Sequence, residues 1–465
     1  MKLKWLSIVS VFLIAITVAQ VNSSSFEVRG ANSTETVYFG ITFGGNSTAD
    51  AKSLIDKVSG YVNLFVVDSW DISGAPNSSA LDQVCDYAIK ANMSVIVYFD
   101  FLFYNVTTTI SGNSSSVYNA STWDVYGVTP WHISWLNLAR ERWGEKFLGV
   151  YLMDEPGGNQ IDRGYFGGNN ITFSGRPVST FRKVSNYSDA ANQYVSAISR
   201  TRSMQLLTNT SYPNGLSSKM PVFTSDYALY WFDYKAGYDV VFTELGGLRG
   251  TNNTLQQLAL CRGAAKAQNK DWGAIITWAS IQAPFLESGE KMLQDMTNAY
   301  EAGAKYIIVF NYPQGAFTQE HYDALRQFWT NVHSFPRSME ENLVQAVFVL
   351  PQDYGWGMRD PYDKIWGFWS ADNASNQIWQ NLNILLDHYK SKLDIVYDEP
   401  NLNSKNNYSD VYFWNNMVSF TPVPSINSER HNSETFIAAA LIGFVTCITL
   451  LVFVKRKNKD HKAEI

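Results

Sequence analysis

Short apolar runs that close on a glycine, a proline or a carboxylate recur along the chain, with amphipathic stretches between them. Eight of them read as strands: Val37 to Gly45, Val62 to Trp70, Ser94 to Phe101, Phe147 to Pro156, Pro221 to Trp231, Asp239 to Gly247, Gly273 to Ile281 and Tyr306 to Pro313. Runs of this length bounded by turn residues are what parallel strands buried on both faces require. The segments between them, such as STADAKSLIDKVSG, ALDQVCDYAIKAN and TLQQLALCRGAAKAQN, carry apolar residues at helical spacing. Alternating strand and helix predicts an α/β domain, and eight repeats within residues 35–335 predict a (β/α)8 TIM barrel, with a doubly wound open sheet as the alternative. Only FDYKAGY joins the fifth and sixth strands, so the helix there is absent or very short.

A second pattern occupies residues 340–418: an apolar run from Val344 to Pro351, the amphipathic NQIWQNLNILLDHYKSK, a run from Leu393 to Pro400, and SDVYFWN. Strand, helix, strand, strand predicts a small flavodoxin-like α/β domain packed on the barrel. Its insertion, DYGWGMRDPYDKIWGFW, sets Trp356, Trp366 and Trp369 among glycines.

Both ends depart from the alternation. Residues 1–24 place two lysines before an apolar stretch and then small polar residues, the build of a signal peptide. Residues 436–454 carry no charge and are about as long as a bilayer core requires, roughly 20 helical residues. Residues 455–465 form a basic tail, which predicts a single-pass type I transmembrane chain with its body extracellular and residues 419–435 as a stalk. Asn-X-Ser/Thr triplets at Asn32, Asn46, Asn77, Asn92, Asn105, Asn113, Asn119, Asn170, Asn186, Asn209, Asn252, Asn373 and Asn407 agree with an N-glycosylated surface.

Composition narrows the partners. A net charge of -6 without a basic stripe argues against nucleic acid. The 15 Trp and 26 Tyr supply a large core and a surplus of rings suited to stacking on sugars. Cys85, Cys261 and Cys447 build neither a disulfide framework nor a cysteine metal site; a bond between the first two is conceivable, and buried free thiols are expected. Zincin, α/β-hydrolase and phosphate-loop motifs are absent, and neither a metal nor a cofactor is expected.

The chemistry is expected at the strands' C-terminal ends, which share one rim of a barrel. Those ends carry Asp68 and Trp70, Asp100, Asp154 and Glu155, Asp226, Glu244, Trp278, and Asn311 with Tyr312. So many acids on one rim are costly to bury unless paired or used. Glycoside hydrolysis needs two carboxyls flanking one bond, and Glu155 with Glu244 is the preferred catalytic pair, the rest being candidates for substrate contact. Asp68, Asp100 and Asp226 read equally as acids that cap loops. Adjacent strand residues face opposite ways, so only one of Asp154 and Glu155 points inward unless the strand has ended.

MDEPGG at the fourth strand resembles the Asn-Glu-Pro that ends the fourth strand in the large clan of retaining (β/α)8 glycoside hydrolases. The resemblance implies that Glu155 is the acid/base. It departs in having Asp154 where Asn is expected and no Glu on the seventh strand, GAIITWASIQAPF. Glu244 on the sixth strand is more like the galactosidase-type clan that pairs carboxylates from strands four and six. Asp-Glu-Pro recurs at 398–400, where it ends a strand outside the barrel. The expectation is thus a membrane-anchored extracellular glycosidase acting on polysaccharide or surface glycan, with a non-catalytic glycan-binding or cell-envelope structural protein as the alternative.

Overall fold

The computed structural model describes residues 36–74, 79–99, 103–111, 117–125, 130–164, 171–173, 176–179, 184–206, 220–246, 254–313, 315–337, 344–400 and 408–420. Its strands are β1 (Tyr38–Phe43), β2 (Leu64–Val67), β3 (Ser94–Tyr98), β4 (Phe103–Ser111), β5 (Val117–Val125), β6 (Phe147–Asp154), β7 (Ile171–Phe173), β8 (Arg176–Ser179), β9 (Val222–Asp226), β10 (Val240–Leu245), β11 (Asp271–Ile276), β12 (Tyr306–Val309), β13 (Ala346–Leu350), β14 (Leu393–Tyr397) and β15 (Asp410–Phe413). The eight apolar runs are the eight strands of a closed parallel barrel, ordered β1-β12-β11-β10-β9-β6-β3-β2. Between β9 and β10 lies the short helix Tyr230–Lys235.

Side-chain alternation fills the barrel. Leu64 and Val66 of β2, Val240 and Phe242 of β10, and Tyr306 and Ile308 of β12 meet in one buried cluster with Ile96, Tyr151, Phe223 and Ile275. Phe223 stacks on Phe242 at 5.7 Å and meets Tyr306 edge-on at 5.4 Å. These rings plug the interior, so the space that remains opens at the rim of the strands' C-terminal ends.

Two elements escape the sequence pattern. β4 and β5 form an antiparallel hairpin after β3, and β7 and β8 follow the helix Pro156–Arg163; together they make a four-stranded sheet ordered β4-β5-β7-β8. Both insertions leave the barrel from the rim side.

Beyond the barrel, β13, the helix Asn373–Tyr389, β14 and β15 follow the expected order. They build a three-stranded parallel sheet, β14-β13-β15, with one helix between its first two strands, and not a flavodoxin-like doubly wound sheet. The described residues up to Asn416 form one compact unit, so this sheet belongs with the barrel; of the second unit, 417–465, only 417–420 are described. Trp356 and Trp366 are buried core residues, and Trp369 packs edge-on against Tyr187. Cys85 and Cys261 are buried free thiols. The expected signal peptide, the transmembrane segment 436–454 and the basic tail lie outside the described residues, among which no helix is long and apolar enough to cross a membrane.

What holds the small sheet to the barrel is a buried ion pair. Arg262, on the helix Thr254–Ala267, donates from Nε to Asp394 Oδ1 at 2.6 Å, and both side chains are almost fully enclosed. Tyr408 and Lys266 donate to Asp394 Oδ2 at 2.8 and 3.2 Å. Burial alone would raise this carboxyl, but the charges of Arg262 and Lys266 outweigh it and hold Asp394 below its ordinary range. The remaining Arg262 donors reach the carbonyls of Ala302, Ser391 and Leu393. One residue along, a Cβ on Gly263 would lie 2.2 Å from the Ile395 carbonyl oxygen, so only glycine lets the helix approach β14 this closely.

Removing one partner of such a pair strands the other charge. Asp394→Ala is expected to cost about 3 to 5 kcal/mol, read as a lower denaturant midpoint at unchanged slope, whereas Arg262→Met with Asp394→Leu should recover most of the loss. Because the folded-state pKa is depressed, the contribution is present above the unfolded Asp value and is lost as pH falls through the folded one.

Candidate active site

Period-two alternation decides which rim residues face inward. On β2, Leu64 and Val66 point into the barrel, so Asp68 does too; on β10 the same holds for Val240, Phe242 and Glu244. On β9, Phe223 and Ser225 face in, which turns Asp226 out. The inward set encloses a cavity of about 530 Å³. Of the residues singled out in the sequence, Asp68, Trp70, Asp154, Glu155, Glu244, Trp278 and Tyr312 line it. Asp226 and Asn311 do not, and Asp100 lies outside the described residues. The Asn311 backbone N–H donates to Thr42 Oγ1 at 2.9 Å, and its side-chain oxygen is buried.

β6 breaks the alternation. Its register against β9 slips between Tyr151 and Asp154, and both Met153 and Glu155 adopt positive φ, 59° and 50°. A left-handed residue on each side of Asp154 re-aims the chain, so Asp154 and Glu155 both reach the cavity. Conformations of this kind cost about 1 to 3 kcal/mol each and persist only where their surroundings impose them.

Asp226 is what imposes it. Pro156 begins the helix Pro156–Arg163, and Glu155, at the N-cap position, makes no side-chain cap. The orphan N–H groups of the first turn turn instead to a neighbouring strand: Gly157 and Gly158 donate to Asp226 at 2.5 and 2.8 Å. Tyr227 and Ala228 add their own N–H groups at 2.8 and 3.0 Å. The two glycines permit this contact, since a Cβ on Gly157 would lie 2.6 Å from the Ala228 carbonyl oxygen and one on Gly158 2.0 Å from the Tyr227 ring. Pro156, Gly157 and Gly158 thus form the first turn of a helix, and Asp226, fully buried, caps it and does not line the cavity. Burial pushes its carboxyl well above the usual range, with Asp233 adding to the rise and the N–H groups of Gly157, Ala228 and Gly158 opposing it. Asp233 is itself pushed up to about 7 by burial, against hydrogen bonds from Tyr194 and Asp226.

The far end of that helix is tied to the insertion after β13. Asp162 accepts from Arg359 at 2.5 Å and from Tyr227 at 2.7 Å, and Gln160 donates to the Trp366 carbonyl at 2.6 Å. The second Asp-Glu-Pro does a different job: Glu399 accepts from Trp231 and Lys235 on the barrel's outer side, at 3.0 and 2.7 Å.

Inside the cavity, Glu244 is 6% exposed and Asp154 is exposed. Burial raises the Glu244 pKa well above the carboxylate norm, the charges of Glu155 and Asp154 raise it further, and a hydrogen bond with Ser225 pulls it back. Of the candidate pair, Glu244 is thus the carboxyl whose surroundings favour its protonated form. The sequence reading missed Ser225, Tyr151 and Tyr98, which also line the cavity. The signal was there: Ser225 stands two residues after Phe223 on an inward face. On the opposite side of the barrel from β6, Trp278 and Tyr312 stack at 6.1 Å with Phe310 beside them, and Trp70 stands 45% exposed near the mouth.

Asp226→Ala, which orphans four buried N–H groups, is expected to cost about 3 kcal/mol or more in chemical denaturation. Asp226→Asn keeps the oxygen that faces Gly158, Tyr227 and Ala228 and should cost less.

No protein-family model matches the sequence, and no curated protein matches it. Among solved structures, a β-galactosidase from the psychrophilic Marinomonas ef1 matches at 11% identity and a TM-score of 0.48, over 83% of this chain and 73% of that one. GH5_18 from Streptomyces cattleya, in complex with GlcNAc, matches at 13% and 0.48, over 82% and 99%. An endo-β-1,4-mannanase from Thermotoga petrophila matches at 9% and 0.40, over 68% and 82%. The closed eight-stranded parallel barrel is the fold that the fourth-strand resemblance implied.

Proposed function

We propose that the chain is a glycoside hydrolase acting on polysaccharide or surface glycan, with Glu244 as general acid and Glu155 as its ionised partner. The observation that carries this reading is the cavity itself, which brings a buried carboxyl with a raised pKa, four further carboxyls and exposed aromatic rings to one rim. In the reaction the Glu244 proton passes to the glycosidic oxygen as its bond to the anomeric carbon breaks. Glu155 then either takes that carbon or deprotonates the water that does. This exchanges the role that the fourth-strand motif implied for Glu155, because burial and two neighbouring carboxylates act on Glu244. The leader-like residues 1–24, the apolar stretch 436–454 and the many glycosylation triplets support a place outside the cell, anchored by one helix. A glycan-binding protein without turnover is the second reading, favoured by β11, which is followed by Thr277 and Trp278 where a catalytic Glu is absent.

The deciding experiment incubates the purified chain with a panel of polysaccharides and aryl glycosides beside Glu155→Gln and Glu244→Gln. Hydrolysis should fall by about 10²- to 10⁴-fold in each variant while ligand binding persists. Binding without turnover in all three proteins establishes the second reading. An acid must keep its proton to act, so activity should decline as pH rises through the raised Glu244 pKa, and any residual activity of Glu244→Gln should lack that alkaline limb.

Charge predicts which glycans enter. Asp68, Asp71, Asp154, Glu155 and Glu244 line the cavity, and no Lys, Arg or His does among the described residues. Uronate-bearing or sulfated glycans should bind on the order of tenfold more weakly than neutral counterparts of equal length, with the gap narrowing at high salt.

A further inference from the structure

Ser225 has one hydroxyl proton and three oxygen partners. Its Oγ lies 2.6 Å from Tyr151 Oη, 2.7 Å from Glu244 Oε1 and 3.1 Å from Asp154 Oδ1. Tyr151 Oη is also 2.8 Å from Asp154 Oδ1 and accepts the Ser225 backbone N–H at 2.9 Å. Ser225 and Tyr151 are buried, Glu244 is nearly so, and Asp154 faces solvent. The cluster therefore runs without a gap from a buried carboxyl to an exposed one.

Its donors and acceptors can be satisfied in two ways. With Glu244 ionised, Ser225 donates to Glu244 and Tyr151 donates to Asp154. With Glu244 protonated, Glu244 donates to Ser225 Oγ, and the Ser225 hydroxyl swings to Asp154 while Tyr151 donates to Ser225 Oγ, which has two lone pairs to accept with. The change between them needs only hydroxyl rotations and one added proton. Tyr151 stays protonated throughout, since burial and then the Asp154 charge push its phenol well up.

The geometry points to a proton path in which Ser225, held by Tyr151, connects Asp154 at the cavity mouth to Glu244 at its floor. A hydronium ion or buffer acid at the mouth protonates Asp154, leaving water or the buffer base; Asp154 passes the proton to Ser225 Oγ as the Ser225 hydroxyl passes its own to the Glu244 carboxylate. Ser225 ends unchanged, and one proton has moved inward. Resting on the hydrolase reading in its inverting form, in which Glu155 takes the water's proton and later releases it to solvent, the path restores the proton that Glu244 gives up in each turnover, at a time when product still covers the direct route. Ser225 and Tyr151 are then positioning residues, since both act through Glu244. The other titratable groups that act on Glu244 are Asp154 at the end of β6 and Glu155 after it, inside the cavity, and Asp226 and Tyr230 from the outer side of β9 and β10. All of these remain in place when Ser225 is changed.

Two readouts on the full chain test the path. The first is the Glu244 carboxyl titration, followed without substrate by infrared difference spectra and assigned by its loss in Glu244→Gln. Ser225→Ala should move the midpoint upward, because the hydroxyl favours the ionised form, and Ser225→Thr should restore it. The second is turnover: kcat should fall on the order of tenfold in Ser225→Ala with KM little changed, and small buffer acids should recover it. Tyr151→Phe, which keeps the ring in the core, should weaken the path in the same sense. An unmoved midpoint, or a kcat indifferent to Ser225→Ala, overturns the path. A shifted midpoint in a protein that hydrolyses nothing overturns the hydrolase reading instead and leaves the connection between the two carboxyls standing.

Discussion

The first turn of a helix must find acceptors for its N–H groups, and the helix after β6 begins with a proline and two glycines that offer none of their own. Asp226, reaching across from β9, accepts from two of that turn and from two of its own chain. Such a bond set holds only at close range, which is why neither glycine has room for a side chain. The strand end is in turn pulled into the left-handed geometry of Met153 and Glu155, and the rim gains two adjacent inward carboxyls that an ordinary strand cannot present.

Two long-range ties keep that end from relaxing. Arg359 and the Trp366 carbonyl, both in the insertion of the small sheet, hold Asp162 and Gln160 at the far side of the same helix. The small sheet is fixed by Arg262 and Asp394, an ion pair without access to water. The small sheet thus serves the site without touching it: its insertion backs the helix whose start aims Glu155. Its tryptophans Trp356 and Trp366 are buried as packing for that insertion.

The barrel was legible because buried parallel strands leave apolar runs that little else produces, and all eight carry them. β4 and β5 were not, since Asn, Ser and Thr punctuate the segments NVTTTIS and VYNASTWDV in the manner of loops. Thr favours strands through its β-branch, but without an apolar stripe that preference has no visible period. At the site, alternation was enough to place Asp68 and Glu244. It failed at Asp154 and Glu155, where a bulge cancels the rule, and at Asp226, where a carboxylate at a strand end reads the same whether it meets sugar or a backbone. Ser225 carried no mark beyond its parity.

The division of labour around the fourth strand bears on how any relative of this chain should be read. Pro156, Gly157, Gly158 and Asp226 are there for the architecture, and a barrel that had given up its chemistry would still need them. Glu155 and Glu244 instead line the cavity. On the hydrolase reading proposed above, a homologue that keeps the first group and loses the second would hold an intact frame without the chemistry, so the motif that first draws the eye records descent, and the two carboxyls record whether the trade is still practised.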